Sequence, residues 1–131
     1  MSLIFEREPR VIVDMSPSYY LYHRFGRVLI GVTHGDKAAA KFKDLGPIMA
    51  TDRAKDWGET EHRYWFTGHI HHEKKQEFPG VVVESLNTLA AADAWNAETG
   101  YRSRRQMSRV DFHSEHGEIG RGICNVKMVR Q

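Results

Sequence analysis

Histidines follow two of the apolar runs in this sequence. His34 comes just after Arg27–Val32, and the cluster His69–His71 comes just after Tyr64–Thr67. Neutral imidazole is a good ligand for Zn, Mn, Fe and Ni. On extended backbone, two histidines separated by one residue lie on the same face, close enough to serve one metal or two adjacent metals. These positions are therefore candidates for a metal site.

The two apolar runs are predicted to be strands, and their arrangement decides whether the histidines meet. A near-continuous apolar run such as 27–32 is typical of a strand buried on both faces, and 63–67 is predicted to be an aromatic strand. If the two strands are neighbours and run in the same direction, the imidazoles emerge at one edge of the sheet, where ligands bind in such folds. Gly31, Gly35 and Gly68 are expected to let the backbone turn sharply beside them.

Further strands are predicted on either side of this pair. The segment Phe25–Arg27 is typical of a hairpin turn, and the dipeptide Pro79-Gly80 indicates a second hairpin. The other predicted strands are Val11–Val13, Tyr19–His23, Lys75–Phe78, Val81–Ser85, Tyr101–Phe112 and Ile119–Val129.

Two helices are predicted between the histidine motifs. Asp36 is predicted to be the N-cap of a helix over Lys37–Asp44. The dipeptide Gly46-Pro47 is expected to interrupt it, because proline suits the first turn of a new helix. That second helix is predicted to run to about Trp57, with Gly58 as its stop.

The order of strands, helices and strands is typical of an α+β fold with a mixed β-sheet and one or two helices on one face. One or two helical turns are also predicted over Leu89–Asn96. We expect residues 1–9 to form an N-terminal arm, with Met1–Leu3 interpreted as a cloning remnant. Residues 10–131 are expected to form a single domain.

Composition restricts the classes of function. The chain has 131 residues, the size of one domain, and its Lys+Arg and Asp+Glu counts give 19 − 17 = +2. This near balance argues against a basic nucleic-acid clamp. No apolar run approaches the ~20 residues that a membrane helix needs. The one cysteine, Cys124, has no partner for an internal disulfide. We therefore expect a cytoplasmic protein with no membrane partner.

The two histidine motifs resemble the last two motifs of the calcineurin-like metallophosphoesterases. Val32–Asp36 is similar to the family's strand-end histidine before a glycine, and Thr67–His71 is similar to its Gly-His-x-His. The histidines are 69 − 34 = 35 positions apart, with a predicted helix and strand between them, as in the family. Gly80–Leu86 and Gly117–Ile119 also fit its later part. The resemblance covers about 11–129.

The resemblance implies a site with two divalent metal ions, which would be Mn, Fe, Zn or Ni. By the family's pattern, His34 and His69 ligate one metal and His71 the other, while Asp36 is only a helix cap. In the family, the metals hold the phosphate oxygens and activate the water that attacks phosphorus in line. The implied partner is a phosphate-ester substrate, and nucleic acid enters only as such a substrate.

The family's earlier motifs are missing from this sequence, so the resemblance is to the C-terminal half alone. Complete enzymes begin with Asp-x-His, then Gly-Asp, whose carboxylate bridges the metals, then Gly-Asn-His. Asp14 lacks the histidine, Gly35-Asp36 comes too late, and Asp111–His113 follows the other motifs. No Gly-Asn-His occurs. We expect the C-terminal half of a four-layer αββα sandwich, inactive as an isolated chain.

A half of this kind would leave one apolar face of its sheet without the opposing sheet. Two partners are therefore expected for that face. One is the missing N-terminal half, and the other is a second copy of the chain, which would give a homodimer or a higher oligomer.

A cupin-like β-barrel is an alternative, because cupins also use His-x-His followed by a glutamate. Glu73 comes too early for that pattern and Glu77 comes one residue late. In that case two histidines and Glu77 would hold a single metal.

A non-enzymatic module that binds phosphate or nucleic acid is the second alternative. It would use the arginines near Tyr101, which are Arg102, Arg104, Arg105 and Arg109. Alternating arginines are more often the solvated face of a strand, and the small net charge agrees with that interpretation.

Overall fold

The elements are taken from a computed structural model, which describes residues 8–15, 17–35, 41–68, 73–87, 89, 105–125 and 128. They are β1 (Leu21–Phe25), β2 (Val28–Thr33), α1 (Phe42–Asp52), α2 (Ala54–Glu59), β3 (His62–Thr67), β4 (Lys74–Phe78), β5 (Val81–Ser85), β6 (Gln106–His113) and β7 (Gly117–Asn125). Neither described helix has the length and apolar character needed to cross a bilayer. Most of the predicted N-terminal arm and of the predicted helix over 89–96 lies outside the described residues.

Five strands form one mixed sheet in the order β1-β2-β3-β5-β4. The three inner strands β2, β3 and β5 are parallel, and the outer strands β1 and β4 are antiparallel to their neighbours. The two hairpins turn at Gly26 and Gly80, whose φ angles are 59° and 79°. The structure thus confirms the α+β class with a mixed sheet and both predicted hairpins.

The two helices cover one face of this sheet. Leu45 and Met49 of α1 pack against Leu29 and Trp65 in the core. The Trp65 indole Nε1 donates a 2.7 Å hydrogen bond to the Leu45 carbonyl oxygen, which fixes α1 across the central strands. Burial of these side chains is the main favourable contribution on this face.

The hairpin of β6 and β7 lies on the other face. The Phe112 ring is 4.9 Å from the Tyr64 ring and 6.2 Å from the Phe66 ring, centroid to centroid. Arg121 donates two 2.5 Å hydrogen bonds to the carboxylate of Glu84, which is only 2% exposed. This hairpin therefore covers part of the face that we expected to be bare.

The predicted strand at Val11–Val13 is wrong. No strand is assigned there, and Ile12 is 94% exposed. Its β-branched residues favour extended backbone, but a strand also needs a neighbour for its backbone hydrogen bonds. Within the described residues, β1 pairs with β2 and with no other strand.

The predicted helix break at Gly46-Pro47 is also wrong, because α1 continues through Pro47. Proline inside a helix removes one backbone hydrogen bond. However, Gly46 lets the helix approach the sheet closely, since a Cβ there would lie 2.9 Å from Val81 Cγ1. Packing of the buried Leu45 and Met49 beside it outweighs the lost bond.

The helix break comes later than predicted, at Arg53. The second helix, α2, ends at Glu59, one residue beyond the predicted stop at Gly58. The predicted helix start and its cap at Asp36 lie outside the described residues.

Candidate metal site

The strands that precede the histidine motifs are neighbours and parallel. Thr33 at the end of β2 pairs with Thr67 at the end of β3. One residue further, the Gly68 backbone N–H donates a 3.2 Å hydrogen bond to the His34 carbonyl oxygen. His69 is the next residue in the sequence. The two strands are therefore neighbours that run in the same direction, as the prediction of a shared sheet edge requires.

Of the three predicted ligands, the structure describes His34. Its side chain is exposed, and its Nδ1 lies 3.9 Å from the point where a Cβ would stand on Gly68. The imidazole thus lies over the end of β3. His69 and His71 lie outside the described residues.

The three glycines near the histidines have different roles. Gly35 has a φ of 89°, so it makes the sharp turn that we expected after His34. Gly31 lies inside β2, and a Cβ there would be 2.7 Å from the Trp65 ring, so this glycine makes room for packing. Gly68 has no positive φ, and a Cβ there would meet only ordinary contacts. The prediction of a sharp turn is wrong for Gly31 and Gly68.

A row of buried hydroxyl groups ends the three parallel strands. Thr33, Thr67 and Ser85 occupy matching positions in β2, β3 and β5, and all three are buried. The Leu86 N–H donates a 2.9 Å hydrogen bond to the Thr67 carbonyl oxygen, which holds the end of β5 beside β3. The sequence signal for this row was a polar residue at the end of each apolar run, and sequence reasoning missed it.

Two buried oxygen atoms at this edge have no hydrogen-bond partner among the described residues. They are Thr33 Oγ1, at the end of β2, and Asn87 Oδ1, two residues after β5. Buried polar atoms are paired in the great majority of cases, so an unpaired atom indicates that something else is bound there or that the site is costly.

The described carboxylates near this edge are already engaged. Glu84 is held by Arg121, and Glu73 accepts a 3.3 Å hydrogen bond from Gln106 Nε2. Within the described ranges, no three His, Cys, Asp or Glu side chains are grouped so that they could hold a metal ion. The predicted ligand set extends beyond those ranges.

Three other histidines lie at the opposite end of the sheet. His62 begins β3, and its Nε2 is 3.0 Å from the Glu115 carbonyl oxygen. His113 and His116 stack with ring centroids 4.6 Å apart. Because β2 and β3 are parallel, the start of β3 is far from the end of β2 that carries His34.

The structure contradicts the barrel alternative for the described residues. Their main sheet is open, with β1 and β4 as its edge strands, and Glu77 is exposed within β4. Among the arginines of the second alternative, Arg109 pairs with Asp111 at 3.1 Å, and Arg105 binds the Leu89 carbonyl oxygen. Arg102 and Arg104 lie outside the described residues.

No protein-family model, curated protein or solved structure matches this chain. The features of this chain that point to a function are therefore the two histidine motifs and the pairing of β2 with β3 that joins them.

Proposed function

We propose that this chain is the C-terminal portion of a metal-dependent phosphoesterase, a phosphatase or phosphodiesterase that works in the cytoplasm. In this proposal His34, His69 and His71 are its share of a two-metal site. The observation that carries the proposal is the hydrogen bond from Gly68 N–H to the His34 carbonyl oxygen, because it joins one residue of each histidine motif. The described residues of the two motifs thus lie at one sheet edge, which supports the proposal.

Imidazole donors would suit Mn, Fe, Zn or Ni, and the described one, His34, is exposed at the end of β2. Bound divalent ions supply polarisation of the phosphate and activation of water. The chain's own residues bind and position these ions. Histidines bring no negative charge to two dications, so we expect little or no hydrolysis without the carboxylates that the family's earlier motifs provide.

Metal binding tests this proposal directly. Calorimetric titration with Mn²⁺ is expected to show binding by the intact chain. His34→Ala, His69→Ala and His71→Ala are each expected to weaken that binding by at least about tenfold, because each removes a ligand. His23→Ala is the matched control, since His23 is an exposed histidine of β1 and is expected to leave the affinity unchanged.

Two outcomes would decide against parts of the proposal. If all four variants bind Mn²⁺ as tightly as the wild type, the three histidines do not form a metal site. If the intact chain hydrolyses bis(4-nitrophenyl) phosphate and His69→Ala does not, the phosphoesterase function is supported. The expectation that the chain alone is inactive is then wrong.

A further inference from the structure

The main sheet and the β6–β7 hairpin each have an open strand edge on the side of β1. Among the strands that the structure describes, β1 pairs with β2 alone and β6 pairs with β7 alone. Phe112 of β6 packs on Tyr64 of β3, whereas Arg121 of β7 binds Glu84 of β5. The free edge of β6 therefore faces the part of the sheet that β2 and β1 form.

The surface between these two edges is apolar and open. It consists of the side chains of β1 and β2 that lie opposite the helices, and it includes the exposed residues Leu21, Phe25 and Val32. It is two strands wide, which corresponds to about 10 Å at the usual strand spacing. A sheet surface of this kind is stabilised when a second sheet packs on it.

The two edge strands of the main sheet differ in their protection against pairing with another chain. Charged side chains on an edge strand oppose such pairing. Three of the five residues of β4 are Lys or Glu, and all three are exposed. The open face of β1 instead carries Leu21, His23 and Phe25. The edge of β1 is therefore the one suited to accept a further strand.

We propose that a second copy of this chain occupies the open surface, so that β1 of each copy pairs with β6 of the other. The uncovered strands are β1 and β2, and a two-fold axis parallel to the strands places the same two strands of the second copy over them. In the layer of the hairpin, β1 of the second copy then lies directly beside β6. By symmetry, the hairpin of the second copy extends the main sheet beyond β1, so both open edges are closed at once.

The directions of the strands agree with this pairing. β1 runs antiparallel to β2. β6 also runs against β2 and β3, because Gln106 at its start bonds Glu73 just before β4, while the Glu115 carbonyl oxygen in its turn lies 3.0 Å from His62 Nε2 at the start of β3. A two-fold axis along the strands preserves their direction, so β1 and β6 of different copies form a parallel pair.

The backbone of β1 offers hydrogen-bonding groups to this partner strand. The turn between β1 and β2 has two residues, so the flanking residues Phe25 and Val28 exchange both of their backbone hydrogen bonds. Hydrogen-bonded positions alternate along an antiparallel strand. The N–H and C=O groups of Tyr22 and Arg24 are therefore directed to the open edge.

Arg24→Pro tests the strand pairing, with Arg24→Ala as its matched control. Both substitutions remove the ion pairs of Arg24 with α2, on the face opposite the open surface. Only proline removes the N–H at the edge, a position where edge strands tolerate proline. In analytical ultracentrifugation, Arg24→Pro is expected to dimerise at least about tenfold more weakly than Arg24→Ala, because the symmetric dimer loses two hydrogen bonds. Equal dissociation constants, or no dimer in either variant, would overturn the inference.

Hydrogen exchange of the unaltered chain tests the same pairing without a substitution. The amides of Tyr22 and Arg24 and alternate amides of β6 are expected to exchange at least about tenfold more slowly in the dimer than after dilution to the monomer. Protection in β1 alone would show that β1 pairs with β1 of the second copy. No protection in either strand would show contact through side chains alone, and either result overturns the inference. Neither measurement involves a metal ion, so failure here leaves the proposed function untouched.

Discussion

Gly31 sets the packing between the two strands that lead to the candidate metal site. It lies in β2 opposite Trp65 of β3, and a Cβ at this position would lie 2.7 Å from the indole ring and 2.8 Å from Met49 Cε. Trp65 is fully buried. The absent side chain thus allows the indole to fill the space between sheet and helix while β2 and β3 keep the register that brings His34 beside Gly68.

Gly31→Ala is therefore expected to destabilise the fold by about 1–3 kcal/mol, the usual cost of overpacking a well-filled core. Urea unfolding followed by tryptophan fluorescence measures the change. Gly58→Ala is the matched control, because a Cβ there meets nothing within 4 Å. Alanine favours the helix more than glycine, so this substitution in α2 is expected to raise the free energy of unfolding by up to about 1 kcal/mol. Equal effects of the two substitutions would contradict this account of Gly31.

The residues of the candidate site were only partly predictable. The histidines were visible because an imidazole at the end of an apolar run is conspicuous in the sequence. The unpaired oxygen of Asn87 could not be predicted, because it depends on which atoms surround it once β5 lies beside β3. The hydroxyl row was hidden for the same reason, since it exists only in the register of three strands.

At the scale of elements, the β6–β7 hairpin is held on the sheet by a group of charges. Arg121 of β7 binds both Glu84 of β5 and Glu118 of its own strand, and Lys75 of β4 lies 3.2 Å from Glu118. The hydrogen bond from Arg121 is the main cause that holds the pKa of Glu118 below its ordinary value of 4.5. Burial opposes this effect, and the hydrogen bond from Lys75 adds to it. The charged form of Glu118 is therefore favoured in the folded protein.

This lowered pKa predicts a dependence of stability on pH. A carboxylate whose pKa is lower in the folded state contributes stability above pH 4.5, and that contribution is lost as the pH falls through the lowered value. Glu118→Gln is expected to be less stable than the wild type at neutral pH and to lose less stability on acidification. Urea unfolding at a series of pH values measures both slopes.

Glu61→Gln is the control for this experiment, because Glu61 pairs with Arg27 on an exposed part of the surface. Exposed pairs contribute only about 0–1 kcal/mol, so its acid slope is expected to match the wild type. An unchanged slope in Glu118→Gln would show that the hairpin does not depend on this carboxylate.

The strands were more predictable than the ends of the helices. Apolar runs and turn dipeptides identified β2, β3 and the hairpin of β4 and β5, since these signals are local. The failures at Val11–Val13 and Gly46-Pro47 have one cause. In both places a contact distant in the sequence decides the structure. No described strand pairs with Val11–Val13, so no strand forms there. The sheet packs against α1 at Gly46, so the helix continues through Pro47.

At the scale of the whole molecule, the face beneath the β6–β7 hairpin is only partly covered. Phe112 packs on Tyr64 and Phe66, but the side chains of β1 and β2 on this face remain open. Leu21, Phe25 and Val32 are 42%, 46% and 44% exposed. The strand register places all three on the side of the sheet opposite the helices. Neighbouring exposed apolar residues are typical of a surface that binds another protein.

We expect this apolar surface to join two or more copies of the chain when no other partner is present. Light scattering coupled to gel filtration is expected to give at least twice the mass of one chain. Leu21→Lys is expected to shift the mass to that of one chain, because a charge would have to be buried in the contact. Ile12→Lys changes a residue that is 94% exposed outside the sheet and is expected to leave the oligomer intact. A monodisperse monomer of the unaltered chain would contradict self-association, and Mn²⁺ binding by such a monomer would show that the histidine edge does not need a second copy.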